Sequence, residues 1–405
     1  MATFISPAGG KFCGRTGRYG PWYALGLLLA TSTGGQMARA QAVAADSTTR
    51  FGRPPAAPLI VGAYAQGGFI MAHTPAIQHL AVSHPTGVEL NLQRQTTGRE
   101  PWHSWYKFPK MGLALVYYDF RNPTLGRSYA ASFYLSKSLF RRARHDASFR
   151  LGTGLAYLTR PYDQQTNHKN TIASSALNAT LQLRVEYDYA LTPRLGLLLG
   201  LGLNHYSNGA TSKPNFGANL PTVVLGLNYH QRRELPRAPF APPPADVGRN
   251  FLDVSASLGF KQRNEGDQTK YLVNSATLAA GRRVNRKSNL VLGLEGFQDR
   301  SLRATLRDTA RDQTNLPDVR KAGVFVGHEL LFGRLAFVSH VGVYVYNPYK
   351  SNKFYYERLG LKYQFTPLLF GAVDLKIHRG AADVIEFRAG LRLRRSAASP
   401  VARTW

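Results

Sequence analysis

The chain has 405 residues, a formal net charge of +28 and 44% hydrophobic residues. That length allows one large or two medium domains, and no apolar run approaches the ~20 residues a transmembrane helix needs. The one cysteine, Cys13, lies in a segment expected to be removed, so the mature chain is excluded from thiolate chemistry and cysteine-ligated metal sites.

Lys11, Arg15 and Arg18 precede an apolar run from Trp22 to Thr31, which is followed by Ala38-Arg39-Ala40-Gln41-Ala42. This order of basic, apolar and small residues predicts a secretory signal peptide over 1–42, cleaved after Ala40 or Ala42. Removal through Ala40 takes away four basic residues and no acid, leaving +24. Export argues against nucleic acid as the partner of this charge. An anionic lipid surface, above all the phosphates of lipopolysaccharide, suits it better.

From residue 59 the chain is a succession of short alternating segments between turn residues, the pattern of antiparallel β-structure. Eight strands are predicted near 59–71, 85–97, 111–120, 128–140, 147–159, 175–190, 194–207 and 219–230. Eight more are predicted near 250–261, 270–281, 289–298, 321–331, 334–346, 354–365, 368–378 and 384–394. In the sixth, Leu177, Ala179, Leu181, Leu183, Val185, Tyr187 and Tyr189 share one face. Its other face carries Asn178, Thr180, Gln182, Arg184, Glu186 and Asp188. Charges of both signs opposite a purely apolar face fit a wall between lipid and a polar lumen. A soluble β-sandwich would have to bury those charges or leave the apolar face in water. Arg184 and Glu186 are expected to join a salt-bridge network in the lumen.

Connections alternate in length. Arg142–Asp146, Thr192-Pro193, Asn285–Lys287, Phe332-Gly333 and Thr366-Pro367 are short, whereas Tyr162–Asn170, Asn208–Ala218, Asp299–Arg320 and Tyr346–Lys353 are longer. With strand 1 running outward, every short turn is periplasmic, as outer-membrane barrels require. The expected fold is therefore all-β, a transmembrane antiparallel barrel of the bacterial outer membrane with about sixteen strands. The run Arg237-Ala238-Pro239-Phe240-Ala241-Pro242-Pro243-Pro244 cannot continue a hydrogen-bonded ladder. It divides the chain into a first half over 43–232, a linker or periplasmic turn over 233–249, a second half over 250–395 and a tail over 396–405. One sixteen-stranded barrel is the preferred arrangement; an eight-stranded barrel followed by a second β-domain is the alternative.

Strand 7 carries leucine at every second position from Leu195 to Leu203, and the next two members of that series are His205 and Ser207. Period-two alternation thus sets a base and a hydroxyl at the outer end of a lipid-facing stripe. Asn219 begins the same face of strand 8, and the hairpin brings it beside His205. This suggests Ser207 as nucleophile, His205 as general base and Asn219 as the group that fixes the imidazole tautomer. No metal-ligand spacing is present, and no cofactor is expected.

At these residues the chain resembles two groups of outer-membrane lipid hydrolases. One is the lipid A deacylase (acyloxyacyl hydrolase-like) family, whose His-x-Ser-Asn followed by Pro-Asn is matched by His205, Ser207, Asn208 and Asn215. The resemblance implies an oxyanion environment made by Asn208 and Asn215, joined by the backbone near Gly209. The family's acidic third member falls at Asn219. The other is outer-membrane phospholipase A, whose His-x-Ser-Asn-Gly matches His205, Ser207, Asn208 and Gly209, and whose orienting asparagine matches Asn219. That second resemblance implies calcium and a homodimer, but Ala210 and Asn215 replace the arginine and the calcium-binding serine. The first resemblance, over roughly residues 59 to 230, also makes His73, Asp163, Asn167 and Asn170 auxiliary site residues and gives the hairpin a companion in Trp102 through Pro109. The function implied is a serine esterase that removes ester-linked acyl chains from lipid A, acting on lipopolysaccharide and outer-membrane lipids at the external leaflet. Phospholipid hydrolysis is the first alternative, and a non-catalytic porin or adhesion barrel the second.

Overall fold

The computed structural model describes residues 57–232, 240–247, 249–312, 314–350 and 354–394. The expected signal peptide, the tail and much of the linker lie outside them. All sixteen expected strands form. The first eight are β1 (Leu59–Gly68), β2 (Thr86–Gln95), β3 (Lys110–Asp119), β4 (Arg127–Arg142), β5 (His145–Leu158), β6 (Leu177–Ala190), β7 (Leu195–Ser207) and β8 (Ala218–His230). The second eight are β9 (Asn250–Lys261), β10 (Tyr271–Arg283), β11 (Ser288–Asp299), β12 (Lys321–Phe332), β13 (Leu335–Tyr346), β14 (Tyr355–Gln364), β15 (Leu369–His378) and β16 (Ala381–Arg394).

They close into two barrels, not one. β8 pairs with β1 from Ile60↔His230 to Gly68↔Thr222, so the first barrel has no edge left to offer β9. β9 pairs instead with β10 and β16. The preferred single barrel is thereby corrected to the alternative arrangement. Its physical basis is the proline run, which extends no ladder and lets β9 begin a new sheet.

Each wall follows the alternation in the sequence. Leu197, Leu199 and Leu201 of β7 are exposed on the outer face, while Gly196, Leu198, Gly200 and Asn204 are buried in the lumen. The first lumen is filled by a neutral ion cluster. Arg150 and Arg184 each approach Glu89 at 2.7 Å, and they lie 3.3 and 3.5 Å from Glu186. The Tyr134 ring packs under Arg150 at 3.7 Å. In the second lumen Arg358 is bound by Glu295 at 2.5 Å and by Glu386. Lower down, Lys362 and Arg392 share Asp253 and Glu329. Buried charges require this mutual compensation, since an unpaired one would cost several kcal/mol.

Two α-helices and a 3-10 helix (Pro75–Leu80) in the loops are not announced by the alternation. α1 (Pro101–Trp105) lies in the β2–β3 connection, and α2 (Arg300–Thr309) follows β11. Asp299 caps α2 by accepting from Ser301 N at 2.9 Å, satisfying one of the free amides of its first turn. α1 joins the two barrels at the end opposite the β7–β8 hairpin. Trp102 meets Phe332 edge-to-face, Tyr106 stacks on Phe332 at 4.6 Å, and Tyr106 Oη donates to Leu331 O at 3.0 Å. Trp102 through Pro109 is therefore no neighbour of the site hairpin. It is a docking element for the second barrel.

Candidate active site

Residues 208–217 connect β7 to β8, and the register pairs His205 directly with Asn219. Directly opposite residues on adjacent strands have Cβ atoms ~4.5–5.5 Å apart, so the two side chains meet without any loop rearrangement. His205 Nδ1 lies 2.6 Å from Asn219 Oδ1. Because an amide oxygen only accepts, that nitrogen carries the proton and Nε2 keeps its lone pair.

The chain after β1 prolongs this arrangement. Phe69 N and Met71 N donate to Pro221 O and Asn219 O, which carries His73 to the far side of Asn219. Asn219 Nδ2 then donates to His73 Nδ1 at 3.0 Å, and His73 Nε2 reaches Phe216 O at 3.0 Å. A neutral relay of imidazole, amide and imidazole results, with no carboxylate in it.

Ser207 is nearly buried, and its Oγ accepts from Gly209 N at 3.2 Å and from Asn215 Nδ2 at 2.9 Å. Two donors therefore converge where a serine oxygen would carry out attack. Among the described residues no hydrogen bond joins Ser207 to His205, though both face one cavity of about 370 Å³. His73, Lys213, Asn215 and Asn219 also line it, and its opposite wall comes from the second barrel. Burial pushes the Lys213 ammonium below its ordinary range.

Glycine is required at position 209. Its φ is +61°, and a β-carbon there would lie 2.4 Å from Ile385 Cγ1. Gly217, at φ +75°, would put a β-carbon 2.9 Å from the His205 ring. Both glycines allow backbone to approach a site wall more closely than any side chain would.

The other expected residues divide. Asn215 uses its amide entirely within the hairpin, since its Oδ1 also accepts from Asn208 N at 3.1 Å. The Asn208 side chain turns to the β5–β6 loop, donating to Ser175 Oγ at 3.0 Å. Asp163, Asn167 and Asn170 are absent from the cavity. Asp163 binds the amides of Gln165 and Thr166, and the Thr166 backbone N–H is the main reason its carboxyl titrates below the usual range. Asn167 Nδ2 reaches Thr124 O, Arg160 O and Pro161 O, and Asn170 binds Arg160 O and Ile172 N. The loop they shape then supports the hairpin, because Phe216 N and Gly217 N donate to Thr171 O and Ile172 O. Thr171 and Ser175 were not singled out from sequence; a threonine or serine in a polar loop gives no sign of what it will touch. Among the described residues no group of three or more His, Cys, Asp or Glu could hold a metal ion.

Residues 86–228 match the family of lipid A 3-O-deacylases, and residues 250–395 match the C-terminal domain of acyloxyacyl hydrolases. No curated protein matches the chain. Among solved structures, neisserial surface protein A is 12% identical over 42% of this chain and 95% of its own, with a TM-score of 0.30. The outer membrane enzyme PagL is 16% identical over 41% of this chain and 97% of its own, at 0.28. An Rh. blastica porin variant is 8% identical over 83% of this chain and 100% of its own, at 0.16. The two family matches coincide with the two barrels and together cover more than two thirds of the sequence. The first barrel is thus similar to lipid A 3-O-deacylases and the second to the C-terminal domain of acyloxyacyl hydrolases.

Proposed function

We propose that the protein is a serine esterase that hydrolyses an ester-linked acyl chain of lipid A in the external leaflet, with Ser207 as nucleophile, His205 as general base and Asn219 as its orienting partner. The observation that carries this reading is the 2.6 Å contact of His205 Nδ1 with Asn219, on the outer face that also bears Ser207. It leaves Nε2 free to take a proton. Ser207 Oγ transfers its proton to that nitrogen and attacks the ester carbonyl. Gly209 N–H and Asn215 Nδ2, now bonded to Oγ, are the donors nearest to where the oxyanion develops. Collapse of the tetrahedral adduct breaks the ester bond, and the departing sugar oxygen takes the proton back from His205. Water, activated by the same imidazole, then releases the fatty acid and restores Ser207.

An amide orienter adds no charge to stabilise the imidazolium, but it is cheaper than a carboxylate at a lipid-facing surface. Asn219 is also what favours glycerophospholipid as a second substrate class, by its resemblance to the phospholipase pattern. Purified protein offered lipid A and phosphatidylethanolamine, with and without calcium, separates the two by the fatty acids released. Ser207→Ala is expected to abolish deacylation of lipid A, read by mass spectrometry, while the barrels keep their heat-modifiable migration. Undiminished activity in that variant would remove Ser207 from the mechanism.

A further inference from the structure

The outer faces of these barrels are about half exposed wherever they meet lipid: Leu258 of β9 is 49% exposed and Val341 of β13 is 55%. Leu375 and Ile377 of β15 lie on the same kind of face, yet are only 2% and 1% exposed. They are covered because the β7–β8 hairpin leans on this part of the second barrel. Gly209 packs on Ile385, the cross-strand partner of Leu375. Gln262 N donates to Ala210 O at 3.2 Å, Lys213 N donates to Gln262 Oε1 at 3.1 Å, and Lys270 Nζ donates to Thr211 O at 2.8 Å. The hairpin does not fill the whole space. What remains is the cavity onto which His205 and Ser207 open, and Leu375, Ile377, Ala381 and Ala382 form its opposite side.

We infer that this face of the second barrel is the acyl-chain-binding wall of the active site, and that it sets which chain lengths are cleaved. The inference rests on the reading of Ser207 as the esterase nucleophile. The wall is aliphatic and borders the reacting hydroxyl, and the β15–β16 turn above it is only Arg379-Gly380, followed by the two small alanines. Such a surface offers apolar contact to methylenes, and the charged groups of the same cavity are Lys213 on the hairpin and Glu265 between β9 and β10. A volume of about 370 Å³ lies at the small end of the ~300–1,000 Å³ of ligand pockets. It suits the scissile ester and one acyl chain laid along the wall, with the rest of the lipid remaining in the membrane.

The test compares kcat/KM on a graded series of p-nitrophenyl esters, from butyrate to palmitate, in the full chain. Ala382→Leu narrows the wall and is expected to lower the palmitate-to-butyrate ratio by about ten-fold or more, the effect of a methylene or two in an apolar pocket. Ile377→Ala widens it and should move the ratio the other way. Ala256→Leu, on the lipid-exposed face of β9, is the control and should leave the ratio as it was. Heat-modifiable migration verifies that each variant is folded. If Ala382→Leu and Ile377→Ala leave the ratio unchanged while Ser207→Ala is inactive, the wall is wrong and the nucleophile stands. If Ser207→Ala remains active, both fail together.

Discussion

The two barrels have the same strand number and the same kind of neutralised lumen, but they differ at one corresponding hairpin. In the first, residues 208–217 join the seventh and eighth strands and carry Asn208, Gly209 and Asn215 around Ser207. In the second the same connection is Arg379-Gly380, with no serine or asparagine beside it; the one imidazole there, His378, contacts Tyr344 Oη at 2.8 Å and Asp383 at 3.5 Å. On the proposed reading, the chemistry lies in a loop grafted on one barrel, and its short counterpart leaves room for a surface. The sign of the central residue in each lumen cluster differs as well. Glu89 sits between Arg150 and Arg184 in the first, whereas Arg358 sits between Glu295 and Glu386 in the second.

The sharpest way to break this division of labour is His205→Ala. It is expected to lower kcat on lipid A by at least about 10³-fold, as loss of the base in a serine triad does, with no change in thermal unfolding. The lumens should respond in the opposite sense, in stability and not in catalysis. Glu89→Ala leaves two buried guanidiniums to share Glu186, and Arg358→Ala removes the cation shared by Glu295 and Glu386. Each should cost about 3–5 kcal/mol, seen as a lower denaturant midpoint in detergent. Equal midpoints for variant and parent would show that the clusters are not holding the barrels.

A finer probe is the orienter. Asn219→Ala should reduce kcat by roughly 10²-fold, since His205 loses its fixed tautomer but keeps its place. Asn219→Asp restores a carboxylate at that position and should retain most of the activity. A loss equal to that of alanine would mean that the amide's donation to His73 is the part that matters. The smallest effect concerns the opposite end of the molecule. Burial holds His103 of α1 at about 4, below the ordinary value near 6.5, and its Nδ1 faces the Glu100 amide. The unfolded or undocked segment binds the proton more readily, so the His103 contribution is intact above pH ~6.5 and declines as pH falls toward 4. Tryptophan fluorescence from Trp102 and Trp105 should report this loosening, and His103→Gln should flatten the response.

Much of this was legible in the residues themselves. Strict alternation announced every strand, and the parity of Leu195 through Leu203 put His205 and Ser207 on one face before any pairing was known. The register of Asn219 followed because a hairpin leaves few alternatives. Closure was not legible, because alternation is the same whether β8 turns to β1 or to β9; only the proline run hinted at a break. Asn208 looked equivalent to Asn215, yet one side chain supports a neighbouring loop and the other binds the serine. Leu375 and Ile377 carry no mark at all. An aliphatic residue that faces lipid and one that faces another barrel are chemically alike, and only packing separates them.

The linker leaves β8 and reaches β9 at the end remote from Ser207. The linker's two points of attachment therefore lie away from the cavity onto which His205 and Ser207 open. The contacts there are few, a glycine against an isoleucine and a handful of hydrogen bonds; by themselves they are too little for a stable interface, and they are joined by the aromatic packing of α1 at the other end. A covalent tether changes that arithmetic by raising the local concentration of the second barrel to the order of millimolar. On the proposed reading of Ser207, a site with a side from each barrel is thus completed within one polypeptide, at a fixed ratio of one wall to one nucleophile.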